Sequence, residues 1–370
     1  MGHDSMPRYV GLDVHKDSIA IAVAEHGRGE ARFLRQVGND LAQVVRVLEK
    51  LGTRESVACC YEAGPTGLTL ARGLVADGWS CIVVAPSQVP ARAGDRIKTD
   101  RRDAARLAHF LRSGDLTAIH VLDPATEAIR DLERARDDAR RAERAARQQL
   151  TKFLLRHGRT YGGKTTWNEA HRGWIAGQEF AHESQRRVLA DYLAAVDQAT
   201  ARVDRLTEDM RELSADWDRA PLVTALQAMR GIEMVSAVTL AAEVGDFRRF
   251  ARASDFMAFV GLVPSESSSG QTRRRGPITR AGNGHVRRIL VEAAQHYSRP
   301  PRLSKQVRAR GERASAAVRA IAWKAQNRLH KRLNKLLGRG MPRSKAIIAA
   351  ARELAGFVWA IAREEVLLAG

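Results

Sequence analysis

The chain has 370 residues, long enough for two or three domains. Hydrophobic residues make up 44% and charged residues 28%, which excludes a disordered chain and leaves each part able to bury a core. The formal net charge is +19, and the stretch from Gln271 to Lys345 holds 21 Lys/Arg against two acids, Glu292 and Glu312, so the whole excess sits there and calls for a polyanionic partner, by default nucleic acid.

Taken from the N-terminus, residues from about Arg8 to Ile119 read as alternating strands and helices. Tyr9–Val14 and Ser18–Ala24 are two β-rich runs around a short polar turn. Glu55–Ala63 is a buried-strand pattern, followed by a Gly/Pro break and helical spacing at Leu68, Ala71, Leu74 and Val75. Ser80–Pro86 is a further strand, and from Asp100 a helix follows with Ala104, Leu107, Ala108 and Leu111 on one face. The pattern predicts an α/β domain with a mixed sheet. Cys59, Cys60 and Cys81 are too few for a disulfide framework, and Cys59 and Cys60 read as small core residues. With no signal-like N-terminus and no run of about 18 uncharged apolar residues, a reducing cytoplasm is the expected compartment, with no membrane partner.

Pro124 to about Leu155 and about His182 to Asp218 read as two long helices with sparse apolar seams, broken by a Gly/Thr/Trp-rich stretch at Gly158–Gly177. A helical hairpin, a coiled coil or an interdomain spacer would give this pattern. Leu222 to Gly370 reads as mostly helical, interrupted by a Gly/Ser/Arg-rich flexible loop at Pro264–Gly284. Within it, "LQAMRGIEMVSAVTLAAEVGDFRRF" has the outline of a helix-hairpin-helix that would aim backbone N–H groups at a phosphate, with an ordinary α–α corner as the equal alternative. The expected division is 7–123, 124–220 and 221–370.

Four acids stand out. Asp13 lies in a strand between Leu12 and Val14, and Glu62 ends another strand just before Gly64-Pro65. An ionised carboxylate in such a run is costly without a compensating positive charge, which a divalent cation supplies. Asp100 and Asp103, spaced i and i+3 at a helix start, share one face. Four hard oxygen donors suit Mg²⁺, and paired cations can stabilise attacking and leaving oxygens in phosphoryl transfer. The plainer readings are a strand-end turn for Asp13, an arginine partner for Glu62, helix capping for Asp100 and dipole compensation for Asp103.

The second constellation is "SESSSGQTRRRGPITRAGNGHVRR", where serines precede Gly270 and a run of Arg273, Arg274, Arg275, Arg280, Arg287 and Arg288. A serine among guanidinium groups can attack a phosphodiester, and the competing reading is a loop that only contacts a nucleic-acid backbone. Further on, a helix carries Ile321, Trp323 and Leu329 among Lys324, Arg328, Lys331 and Arg332; its apolar residues are expected in the core and its cations on a backbone-contacting surface.

The motifs "YVGLDVHKDSIAIAV", "YEAGPTG", "KTDRRDA", "LQAMRGIEMVSAVTLAAEVGDFRRF", "FVGLVPSESSSGQTRRRGPITRAGNGHVRRILVEAA" and "ARELAGFVWAIA" resemble, in order and over nearly the whole chain, the insertion-sequence 110/1111 transposases, or DEDD recombinases. The resemblance implies a RuvC-like (RNase H-like) N-terminal domain in which Asp13, Glu62, Asp100 and Asp103 bind divalent metal, expected as Mg²⁺. It implies a nucleophilic serine in a Ser-Gly pair, here Ser269 before Gly270 with Ser268 as rival, that links covalently to DNA. It also implies donor and target DNA, a structured guide RNA from the element itself, and a homodimer or homotetramer. The expected activity is cutting and rejoining of DNA. The alternatives are a RuvC-type hydrolytic nuclease without need of Ser269, a non-enzymatic nucleic-acid-binding protein using the basic stretch alone, and an inactive descendant.

Overall fold

The computed structural model describes residues 7–90, 99–269 and 272–369, and the chain forms two compact units that divide between Leu122 and Asp123.

The first unit is built on β1 (Arg8–Val14), β2 (Ser18–Ala24), β3 (Arg32–Gly38), α1 (Leu41–Glu49), β4 (Val57–Glu62), α2 (Thr69–Ala76), β5 (Ser80–Val84) and α3 (Asp100–Ser113). The five strands form one sheet in the order β3-β2-β1-β4-β5. β1, β2 and β3 run antiparallel, and β4 and β5 join parallel to β1. This mixed α/β arrangement is consistent with an RNase H-like fold.

Strand alternation sorts the residues onto two faces. Val10, Leu12, Cys59 and Tyr61 are buried with Val44 and Leu48 of α1 and Leu74 of α2. On the opposite face Ala104 of α3 packs on Ala20 and Ala22 of β2, and Leu107 packs on Cys60 and Val84. Gly11 pairs with Ala22, and a Cβ at Gly11 would overlap the Ala104 carbonyl and the Ala108 amide nitrogen. Glycine therefore lets α3 lie directly on the β1 backbone. β3 and α1 have no counterpart in the elements expected from the sequence. β3 is an edge strand whose Arg32, Arg35 and Gln36 are exposed, so it carries no apolar signature.

The second unit contains α4 (Pro124–Arg156), α5 (Glu169–Ala176), α6 (Glu183–Leu213), α7 (Ala220–Leu226), α8 (Met234–Val244), α9 (Ala253–Phe259), β6 (Pro264–Ser269), β7 (Thr272–Ile278), α10 (Gly284–Ala294), α11 (Lys305–Gly311), α12 (Ala316–Gly338) and α13 (Arg343–Ala369). α4 and α6 form an antiparallel hairpin: Arg136 Nε donates to Thr207 Oγ1 at 2.7 Å and Thr200 Oγ1 donates to Glu143 Oε1 at 3.2 Å. At its far end Leu150, Phe153 and Val196 close a small core over Ile175 of α5. The sparse seam thus works through half-buried hydrogen bonds along its middle and aromatic packing at its tip. The principal core joins α7, α8, α9, α10, α12 and α13, with Leu226, Leu240, Phe256, Leu290, Leu329 and Leu354 fully buried. No described helix is long and apolar enough to cross a membrane.

Two expectations change. The Ser/Arg-rich stretch expected as a flexible loop forms an antiparallel hairpin, β6–β7, in which Ser269 pairs with Thr272. Trp323, expected in the core, is 44% exposed on α12, whereas Leu329 of the same helix is fully buried; Trp323 and Leu329 fall on different faces of the helix.

Gly11→Ala is expected to push α3 off the sheet, costing about 1–3 kcal/mol as an overpacked contact, read as a fall in the urea midpoint of the chain. Asp123 caps α4, accepting from Thr126 N at 2.7 Å. Burial alone would raise its carboxyl, but bonds from Thr126 and Arg219 outweigh this and lower it to about 2. Asp123→Ala should cost about 1 kcal/mol at neutral pH as a lost helix cap. Because the folded value lies below the unfolded value of about 3.9, the difference from the parent is full above that pH and shrinks as pH falls toward 2.

Candidate active site

The period of two along β1 and β4 that turns Gly11 and Cys60 toward α3 turns Asp13 and Glu62 the same way, at the carboxyl ends of two adjacent parallel strands. Asp13 pairs with Ala20, whose small side chain packs beside Ala104. α3 begins at the same end of the sheet. Its N-cap is Thr99, whose hydroxyl accepts from Arg102 N, so Asp100 and Asp103 are not needed as caps and stand in the first turn. Capping is thereby removed as the explanation for Asp100.

Two side chains outside the four acids tie them into two pairs. His15 Nε2 lies 3.1 Å from Asp13 Oδ2 and 3.6 Å from Asp100 Oδ1. Arg106 Nη2 lies 3.3 Å from Glu62 Oε1 and 3.4 Å from Asp103 Oδ1. The signals existed: His15 stands two residues past Asp13 and Arg106 three past Asp103. The arginine partner envisaged for Glu62 is Arg106, which it shares with Asp103.

Burial raises the Asp13 carboxyl; the His15 contact opposes that, and the nearby charges of Asp100 and Asp103 reinforce it. A dication relieves a site where clustered carboxylates raise one another. Asp13, His15 and Asp100 each offer a ligand atom, all within 4.8 Å of one another. Mostly oxygen donors with one imidazole suit a divalent metal ion.

The second constellation is placed less completely. Ser269 ends β6, while Gly270, the side chains of Ser268 and Ser269, and those of Arg273 and Arg275 lie outside the described residues. Arg274 and Arg280 are exposed, and Arg280 has a left-handed φ of 56°. Arg287 and Arg288 serve the protein itself: Arg287 Nη1 donates to Val260 O at 2.9 Å, and Arg288 Nη2 to Asp137 Oδ1 at 2.8 Å. On α12, Lys324 and Lys331 are exposed, whereas Arg328 and Arg332 both pair with Glu353 of α13. The α7–α8 turn contains Gly231 at φ 81°, where a Cβ would meet Ala293 O at 3.0 Å. Close packing on α10 is sufficient reason for that glycine.

Residues 10–158 match a DEDD-type transposase family model, and residues 223–308 match the family described as Transposase IS116/IS110/IS902. A putative transposase, y4qE, of Sinorhizobium fredii is 45% identical over 363 residues, covering 98% of this chain and 90% of its own. The transposase for insertion sequence element IS1533 of Leptospira borgpetersenii is 32% identical, covering 89% and 96%. That for IS1111A of Coxiella burnetii is 23% identical, covering 71% and 66%. An acid cluster suited to a divalent ion, on a mixed sheet, in a chain that aligns almost end to end with the first two of these proteins, makes this a member of the IS110 family of transposases, enzymes that recombine DNA.

Proposed function

We propose that this transposase cuts and rejoins DNA through a phosphoserine intermediate, with Mg²⁺ bound by Asp13, Glu62, Asp100 and Asp103 and the hydroxyl of Ser269 as nucleophile. What supports the metal-dependent reading is that Asp13 and Glu62 stand at the carboxyl ends of β1 and β4 and Asp100 and Asp103 in the first turn of α3, with Asp13, His15 and Asp100 close enough to share one ion. The serine assignment is supported by its Ser-Gly pair at the end of a hairpin rich in arginine.

When bound, the dication supplies charge neutralisation at the scissile phosphate. The protein's own groups do the rest. His15 fixes the Asp13 carboxylate and Arg106 holds Glu62 and Asp103 against their mutual repulsion. Ser269 Oγ forms a bond to phosphorus as the bond to the departing deoxyribose oxygen breaks; the hydroxyl loses a proton and the departing oxygen gains one. Attack by the hydroxyl of a new strand reverses the exchange and releases serine, so no hydrolysis is needed. Arg273, Arg274, Arg275 and Arg280 stabilise the phosphoryl oxygens.

Selection of sequence is assigned to a structured guide RNA pairing with donor and target DNA. Under that division of labour the protein needs only to grip backbones, the role proposed for Lys324, Lys331 and the less available Arg287, Arg288, Arg328 and Arg332. The working parts are then 7–123 for metal chemistry, 124–220 as spacer and 221–370 for strand attachment. The α4–α6 hairpin is the proposed interface of a dimer or tetramer in the bacterial cytoplasm.

Asp13→Asn and Asp100→Asn should each lower metal-dependent strand cleavage by about 10²–10³-fold, the scale of one lost charge-stabilising group, measured on DNA bearing the element's ends together with RNA from its flanking non-coding region. Under the same conditions Ser269→Ala should abolish the protein–DNA adduct detected by denaturing gel and peptide mass spectrometry, while Ser268→Ala keeps it. Undiminished cutting by Ser269→Ala would identify a hydrolytic nuclease and end the phosphoserine reading.

A further inference from the structure

The second unit holds another group of ligating side chains, built from residues the proposed chemistry does not use. Glu133 of α4, Glu243 of α8 and His285 in the first turn of α10 each bring a ligand atom to within 4.8 Å of the others. The glutamates are only 3% and 5% exposed. Two carboxylates buried this closely repel one another unless each is compensated.

For Glu243 the compensation is visible. Arg134 donates Nε to Oε1 at 2.7 Å and Nη2 to Oε2 at 3.1 Å, and Asn283 Nδ2 donates to Oε2 at 2.7 Å. Burial alone would raise this carboxyl, but these bonds outweigh it and lower it. Glu133 is treated differently. Thr239 Oγ1 donates to its Oε1 at 3.0 Å, while its buried Oε2 has no protein partner. Among the described residues Glu133 forms no ion pair, and burial, with Glu243 adding to it, raises its carboxyl. His285 Nδ1 is also buried without a hydrogen-bond partner; Asp137 Oδ2, at 3.9 Å, is too far for one.

We infer that Glu133, Glu243 and His285 bind a first-row transition-metal dication of the zinc class, held between α4, α8 and α10. One imidazole nitrogen with two carboxylate oxygens is a donor set that zinc accepts. Each ligating carboxylate already has the outer hydrogen bonds that orient metal ligands, from Thr239 on Glu133 and from Arg134 and Asn283 on Glu243. The free Oε2 of Glu133 and Nδ1 of His285 are the lone pairs left for the ion. Asn283 joins the site to the start of α10, because its Oδ1 also accepts from Val286 N at 3.0 Å. The ion braces the start of α10, shortly after the hairpin that carries Ser269. Its role is structural, and it stands whether or not Ser269 is the nucleophile.

The test uses the full-length chain carrying Asp13→Asn and Asp100→Asn, stripped with chelator and titrated with Co²⁺ and then Zn²⁺. One equivalent of Co²⁺ should bind with visible d–d absorption, Zn²⁺ should displace it, and either ion should raise the unfolding temperature. Glu133→Gln and His285→Ala should each weaken binding by more than about a hundredfold, beyond the loss produced by outer hydrogen-bond partners. Circular dichroism in chelator reports whether each variant folds, and the half-buried His285→Ala is read alone if Glu133→Gln does not. Failure of the stripped chain to take up Co²⁺, or Co²⁺ binding unchanged in a folded variant, would overturn the site.

Discussion

Backbone contact between α3 and β1 at Gly11 is the constraint on which the first unit depends. The helix can lie there only because β1 offers no side chain at that point and β2 offers the small Ala20 and Ala22 alongside. Once the helix is seated, strand alternation leaves no choice about where Asp13 and Glu62 face, and a Thr99 cap leaves Asp100 and Asp103 in the first turn. The acid cluster is therefore a product of packing. Moving it would require repacking the sheet.

Both units handle clustered negative charge by sharing basic side chains sparingly. Arg106 serves two carboxylates, His15 stands beside two more, and Arg134 takes both oxygens of Glu243. None of these arrangements satisfies every acid in its cluster, and Asp13 and Glu133 both have carboxyls raised first by burial. In a low-dielectric setting such residual imbalance is what makes a site receptive to a cation.

Much of this was legible in the sequence. β1, β2, β4, β5, α2 and α3 follow from apolar period and punctuation, because each buries a face whose pattern survives in one dimension. β3 escapes because an edge strand with exposed Arg32, Arg35 and Gln36 has no such pattern. The β6–β7 hairpin escapes because serine and arginine are read as punctuation, although pairing of two polar strands needs no apolar face. The four acids were legible from strand and helix context, but His15 and Arg106 were not, since their role arises only when separate elements meet. Trp323 misled for a related reason: helical spacing counts apolar residues without saying which of them the neighbouring helices cover.

The excess of 19 positive charges between Gln271 and Lys345 is a formal count, and the fold takes some of it back. Arg288 is matched by Asp137, Arg310 by Glu233, and Arg328 and Arg332 together by Glu353, all acids outside the stretch. Each matched guanidinium has already exchanged part of its aqueous ion atmosphere for an internal carboxylate. Fewer small ions are then liberated when a phosphate backbone settles on this surface, so the response of binding to ionic strength is shallower than the arithmetic of the sequence implies.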